Sequence, residues 1–396
     1  MDSKMKKIAF IWPAGFPLNR MIWPQDFLNI LANYFFIDLY WGQKENHFQG
    51  STLKLHENIN VISYGILEHY VKQDFSDIKP YLIESLTSGN IQYLYNSIQK
   101  NNYDYCIANE KSSLVIAKEF MQKNTKIIYW PTELYTMESH ADSHHRLPIQ
   151  LDYERKVINS IDLIIHADEN REKEFFRICQ KEFFTKKLYF PISLKREKIS
   201  NSPNKSYHNL FNLEKQKKII LYNGLISVHK RFIIDIVIAA QKMPEEVVVV
   251  LSGLHNGDSE LLRIIKILDK KGQIFIDTIL HSPEERHNLF CTADIGLAFY
   301  VEDDVNELLT IMSSDKIASY TRAGLPIISF DYSNYINIYG KVKFGIGIDE
   351  FQNINRAITE ILAHYDEYSK NSLSAYEKYY CLDNNINSLL KTLDKL

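Results

Sequence analysis

Residues 217–224 read KKIILYNG, 245–253 read EEVVVVLSG and 313–328 read SSDKIASYTRAGLPII. The first two are short apolar runs that end on a glycine. Val and Ile without polar alternation suit a strand covered on both faces, as in a parallel sheet. The third is a helix pattern stopped by Gly324 that passes through Pro326 into another apolar run. Ser314 or Asp315 is the expected cap of that helix. QIFIDTI (273–279) and DIGLAFY (294–300) are further strand-like runs, separated by helix patterns such as RFIIDIVIAAQKM and PEERHNLFCTA. Strands that alternate with helices imply right-handed crossovers and an α/β sheet.

The same alternation fills the first half. IAFIWP (8–13), FFIDLYWG (35–42), NVISYG (60–65), YDYCIAN (103–109), KIIYWP (126–131) and DLIIHAD (162–168) are strand-like, with helix patterns QDFLNILANYF and SSLVIAKEFMQKN between some of them. The polar stretch 195–218, which contains Pro203, has little apolar periodicity and reads as a connection. The expected organisation is an N-terminal Rossmann-like domain over 1–195, a linker over 196–216, a second Rossmann-like domain over 217–375 and a C-terminal helix over 376–396 that packs back on the first domain. Two doubly wound domains place their ligands at the carboxyl ends of the strands, and a cleft between them is the expected active site.

Composition excludes several classes. With 396 residues, 45% hydrophobic and 24% charged, the chain is long enough for about two globular domains and too apolar for wholesale disorder. No apolar run approaches the roughly 18–20 residues of a bilayer-spanning helix, and the N-terminus reads as a first strand rather than a signal peptide. Lys plus Arg is 46 against 49 Asp plus Glu, a net charge of -3, which removes the general electrostatic drive toward nucleic acid. Cys106, Cys179, Cys291 and Cys381 show no ligand or disulfide spacing, so they read as reduced thiols of a cytoplasmic protein.

Two stretches carry candidate chemistry. After strand 217–224, the loop Leu225-Ile226-Ser227-Val228-His229 leads to Lys230 and Arg231 at the start of the next helix pattern. Cations there oppose the helix dipole, which an anion lying between them would offset. Ser314, Asp315 and Lys316 open the second helix, whose free N–H groups suit a second phosphate contact.

These stretches resemble the nucleotide-sugar half of retaining GT-B glycosyltransferases, of the family 4-like, group 1 kind. The carrying features are the glycine-ended strand with Lys230 six residues after Gly224, the Leu251-Ser252-Gly253 strand end, Pro283-Glu284-Glu285 leading to Ala293-Asp294-Ile295-Gly296-Leu297, and the 313–328 helix and strand. The resemblance implies a GT-B fold with two facing domains, and a nucleoside-diphosphate sugar donor with no other cofactor and no metal. It implies transfer to a glycan or lipid-linked acceptor in surface polysaccharide synthesis. Donor contacts are then expected from Gly15, Gly224, Gly253, Ile279 or Leu280, Ser314, Asp315, Lys316 and Ser319, with Lys230 and Arg231 stabilising the leaving group. Glu302, Asp303 and Asn306 are candidates for the sugar hydroxyls, within an acidic loop that also reads as merely solvated. The family's usual Glu is Ser319 here, its Arg after the glycine is Leu225, and its His before the acceptor-side Glu is Thr132.

The acceptor side rests on WPTELYTMESHADSHHRLP (130–148), where Glu133 and His140 are the polar candidates. His140, Asp142, His144 and His145 match no common metal-ligand spacing. REKEFFRICQKEFFTKKLYFP (171–191) interleaves Phe with cations. It reads either as a cover for the sheet or as an in-plane helix in peripheral contact with the inner membrane face. Two competing functions remain: a non-catalytic relative acting as a binding scaffold, and a nucleotide-sugar epimerase.

Overall fold

A computed structural model of the chain describes residues 5–12, 18, 21–42, 54–64, 77, 79–82, 88–136, 147–180, 186–197, 206–226, 232–253, 259–279, 281–332, 335, 338 and 342–396. Two compact units divide the chain. Unit 1 takes residues 1–191 and 385–396, and unit 2 takes 192–384.

Unit 1 is a seven-stranded parallel sheet. Its strands are β1 (Lys7–Trp12), β2 (Phe36–Trp41), β3 (Ile59–Ser63), β4 (Tyr105–Asn109), β5 (Lys126–Trp130), β6 (Leu163–His166) and β7 (Lys186–Tyr189), in the order β3-β2-β1-β4-β5-β6-β7. The order reverses between β1 and β4, which pair Ile8 with Tyr105 and Ile11 with Ala108. Burial explains the apolar runs, since every residue of β4 is covered. All four tryptophans are buried, and Trp12, Trp23 and Trp130 form a ring cluster with centroids 5.1–5.6 Å apart. Much of the aromatic content therefore fills a core.

Unit 2 repeats the plan with six parallel strands: β8 (Lys218–Asn223), β9 (Val247–Ser252), β10 (Ile274–Asp277), β11 (Ile295–Leu297), β12 (Ile327–Phe330) and β13 (Gly345–Ile348), in the order β10-β9-β8-β11-β12-β13. The reversal here lies between β8 and β11. Helix α1 (Pro283–Phe290) is fixed by a capping box, Ser282 accepting from Glu285 N–H while the Glu285 side chain accepts from Ser282 N–H.

Three readings of the sequence need revision. First, β7 (KKLY) and β13 (GIGI) were not expected as strands. Both lie at sheet edges, where a strand is held by one neighbour and lacks the apolar run of a central one. Second, 171–191 is not one in-plane helix. Helix α2 (Glu169–Cys179) ends at Gln180, which has φ +51°, and residues 186–189 pair with β6. Phe175 is buried on the α2 face that meets His166 and Tyr129. Third, the 196–216 stretch contains structure. Ser206 caps a short helix, Tyr207–Leu210, whose Tyr207 is fully buried, and the division falls at Pro191/Ile192 rather than at 195.

Residues 192–197 are tied to the C-terminal helices within unit 2. Leu194 N–H donates to Tyr380 O (2.9 Å), and Leu194 O accepts from Leu382 N–H (2.9 Å) and the Tyr376 hydroxyl (2.9 Å). Arg196 Nη2 pairs with Glu377 (2.7 Å), and Arg196 N–H donates to Asp383 (3.0 Å). The last helix, α3 (Leu382–Leu393), begins in unit 2, and its remainder counts with unit 1, where the Tyr105 hydroxyl donates to Leu393 O (2.9 Å).

Candidate functional site

In unit 2 the polar groups gather where β8 ends, beside the reversal of strand order. Gly224 N–H continues the ladder to Ser252 O (2.9 Å), and Gly253 N–H to Asp277 O (2.9 Å). Both glycines have φ values that side chains disfavour, +152° and +142°. They are also in contact: a β-carbon at 253 would stand 2.0 Å from Gly224 O. A glycine at 253 allows this approach of the two strand ends, since any β-carbon there would run into the Gly224 backbone.

Lys316 reaches the same point from helix α4 (Asp315–Arg322). Its Nζ lies 4.6 Å from the Tyr222 ring centroid and 4.9 Å from that of Tyr300. A β-carbon on Gly224 would be 3.6 Å from that Nζ. A half-buried ammonium, two tyrosine faces and a glycine turn thus converge within one unit. Ser314 caps α4, accepting from Ile317 N–H (3.2 Å), and its hydroxyl also bonds the Tyr300 hydroxyl (2.6 Å). Tyr320 underlies the site. Its hydroxyl accepts from Asn223 N–H (2.7 Å) and donates to Leu221 O (3.2 Å), while its ring covers Gly296, where a β-carbon would come within 2.5 Å.

At the next strand end, buried Asp277 accepts from Ser252 (3.2 Å), bonds His281 Nε2 (2.8 Å) and accepts from Ile279 N–H (3.1 Å). Ile279 itself is exposed. Ser319 is 2% exposed, on the inner face of α4. The acidic loop divides by role. Glu302 and Asp303 are exposed, whereas Asp304 accepts from the N–H groups of Asn306 (3.0 Å) and Glu307 (3.4 Å), and Glu307 from Val301 N–H (3.1 Å). Asn306 is half-buried. Gly15, His140, Lys230, Arg231 and Leu280 lie outside the described residues, as do Asp142, His144 and His145.

Unit 1 holds a second polar cluster, at its own reversal point. Glu110 opens helix α5 (Glu110–Phe120) directly after β4, with φ +67°. Its Oε1 accepts from Thr132 N–H (2.7 Å), the Thr132 hydroxyl and Glu133 N–H (2.9 Å). Thr132 O accepts from Arg171 Nη2 (2.7 Å). Lys111 Nζ pairs with Glu154 Oε1 (3.4 Å), which also takes the Tyr129 hydroxyl, and Lys111 lies over the Tyr135 ring (5.1 Å). Glu110, Lys111, Glu154 and Arg171 are all buried. Burial pushes the Glu110 carboxyl up to about 7, and Glu133 adds to the rise against the lowering by Lys111 and the Thr132 and Glu133 hydrogen bonds.

Of the expected residues, Gly224, Gly253, Ser314 and Lys316 come together in unit 2, and Glu133 belongs to unit 1. Tyr222, Tyr300, Tyr320 and Glu110 were not anticipated. The one available signal for Glu110 was the charged pair Glu110-Lys111 immediately after a buried strand.

No protein-family model matches the chain, and no curated protein sequence matches it. Solved structures do. Anabaena Alr3699/HepE, solved in complex with UDP and glucose, superposes with a TM-score of 0.71 at 14% identity, covering 99% of this chain and 100% of the other. Sucrose-phosphate synthase (tll1590) from Thermosynechococcus elongatus gives 0.70 at 15%, covering 98% and 99%. The pneumococcal O-GlcNAc transferase GtfA, in complex with UDP and GlcNAc, gives 0.68 at 11%, covering 99% of both. What is shared at such identities is the fold, and the chain has the GT-B fold of these glycosyltransferases. Among the described residues no helix is long and apolar enough to cross a membrane.

Proposed function

We propose that this GT-B chain is a glycosyltransferase. In this reading it moves a sugar from a nucleoside-diphosphate donor to a hydroxyl of a glycan or lipid-linked acceptor, with retention and without a metal ion. The observation that carries the reading is the position of Lys316, beside Gly224 and between two tyrosine rings at the β8 edge. Support for a nucleotide donor also comes from the UDP found in the HepE and GtfA structures.

The chemistry follows from charge. As the bond from the anomeric carbon to the phosphate oxygen breaks, negative charge grows on the diphosphate. Lys316 and the N–H groups of the first turn of α4 offer fixed positive potential to that charge. From the sequence, Lys230 and Arg231 add to it. The acceptor oxygen bonds to the anomeric carbon on the face being vacated, and its proton passes to the departing phosphate oxygen. Glu302, Asp303 and Asn306 are assigned to the sugar hydroxyls, and Glu133 and His140 to the acceptor loop. Surface polysaccharide synthesis at the cytoplasmic face is the cellular role that this acceptor class suggests.

Calorimetric titration with UDP tests the donor site. Lys316→Ala should weaken binding by about 10- to 100-fold, as expected when a charge-assisted contact worth roughly 1.5–3 kcal/mol is lost. UDP binding with no transfer or hydrolysis of any nucleotide sugar would favour the scaffold reading, to which Ser319 and Leu225 point. Sugar isomerisation without an acceptor would favour the epimerase. No binding of any nucleoside diphosphate would refute the donor site.

A further inference from the structure

We propose that Glu110 is the positioning residue of the 131–136 loop, holding it at the carboxyl edge of the unit 1 sheet. Three observations on different levels meet at this side chain. The backbone is in the left-handed region, φ +67°, which Glu adopts only where the surroundings impose it. The side chain is 4% exposed, so an ionisable group has been taken out of water. Its Oε1 collects two successive backbone N–H groups and the Thr132 hydroxyl of the loop, while Oε2 has no hydrogen-bond partner among the described residues.

An ordinary structural carboxylate of a helix N-terminus would cap its own helix. Glu110 instead reaches across to the segment after β5 and fixes both of its first N–H groups. Arg171 holds the same segment from its carbonyl side, through Thr132 O. Thr132 is thus gripped from both sides, and Glu133 N–H is fixed to the same oxygen. That the loop serves an acceptor rests on the reading given under Proposed function, but the positioning does not.

The groups that face Glu110 are Lys111 on its own helix, Glu133 and Thr132 on the loop, and Tyr129 on β5. Opening the loop would return the carboxyl to water and to its ordinary titration, so the closed loop binds the proton more tightly than the open one. Raising the pH must therefore loosen the loop, up to about tenfold per unit between the two pKa values and no further above about 7.

The test is hydrogen–deuterium exchange at the Thr132 and Glu133 amides of the full chain, corrected for intrinsic rates. Glu110→Ala should expose both amides about tenfold or more, as loss of their shared acceptor requires. Glu110→Gln keeps a carbonyl acceptor and should restore protection. In the unaltered chain, protection of these two amides should fall between pH 5 and 7, and the Gln variant should be flat. Unchanged protection in Glu110→Ala would overturn the proposal. Should that variant not fold, a pH-independent protection in the unaltered chain would do the same. Exchange is read without sugar transfer, so failure here is distinct from failure of the transferase reading.

Discussion

Replacing Gly253 by Ala is the sharpest probe of the unit 2 site. The added β-carbon meets Gly224 O at 2.0 Å and Gly224 C at 2.9 Å, both backbone atoms that no side-chain rotation can move aside. It also forces an L residue to φ +142°. Backbone conformations of that kind cost of order 1–3 kcal/mol, and displacing a packed backbone costs roughly 1–3 kcal/mol more. Gly272 supplies the control, since its φ is +65° and nothing lies within 4 Å of a β-carbon there. Gly272→Ala should cost only about 1 kcal/mol, the left-handed penalty alone. For a unit of this size each kcal/mol lowers the thermal midpoint by about 2–4 °C. Differential scanning fluorimetry should therefore show Gly253→Ala about 4–24 °C below the parent and Gly272→Ala within about 4 °C. The surviving folded fraction of Gly253→Ala should also bind UDP more weakly, because Gly224 and Lys316 share the disturbed contact. Equal shifts for the two variants would refute the argument that the strand ends are packed glycine against glycine.

Other outcomes can be checked alongside. Tyr320→Phe removes the acceptor of the half-buried Asn223 N–H, and loss of that hydrogen bond should lower stability by about 0.5–1.5 kcal/mol in denaturant titration. Burial lowers His166 to about 4, so the folded state favours its neutral form. Its contribution is complete above about 6.5 and is lost as pH falls toward 4, worth about 3 kcal/mol, and His166→Asn should flatten that limb of the stability profile. Glu110 has the opposite sign: its contribution is complete below about 4.5 and is lost as pH rises through about 7. Glu110→Gln should accordingly gain on the parent by up to about 3 kcal/mol at pH 8 and by nothing at pH 4.

Much of the fold was readable because central parallel strands are covered on both faces and must be apolar throughout. VVVVL at 247–251 and IIL at 219–221 announce this directly. KKLY and GIGI do not, since an edge strand needs only one partner and its side chains answer to solvent. The site was legible where residue type dictates backbone behaviour, as with Gly224, Gly253 and the Ser314 cap. It was illegible where a three-dimensional approach matters. Nothing in the spacing of Tyr222, Tyr300 and Lys316 says that two rings will flank one ammonium, and nothing in Asn109-Glu110 says that the carboxyl will be buried with its backbone left-handed.

The knot of bonds around Leu194 gives the chain's last helices a weight that their position in the sequence conceals. Deleting residues 382–396 would leave Leu194 O without Leu382 N–H and strip Arg196 of its Asp383 and Asn384 contacts. It would also remove Leu393 O from beneath the Tyr105 hydroxyl. A short C-terminal truncation would thus remove contacts from both units at once, which makes this end a poor place to trim.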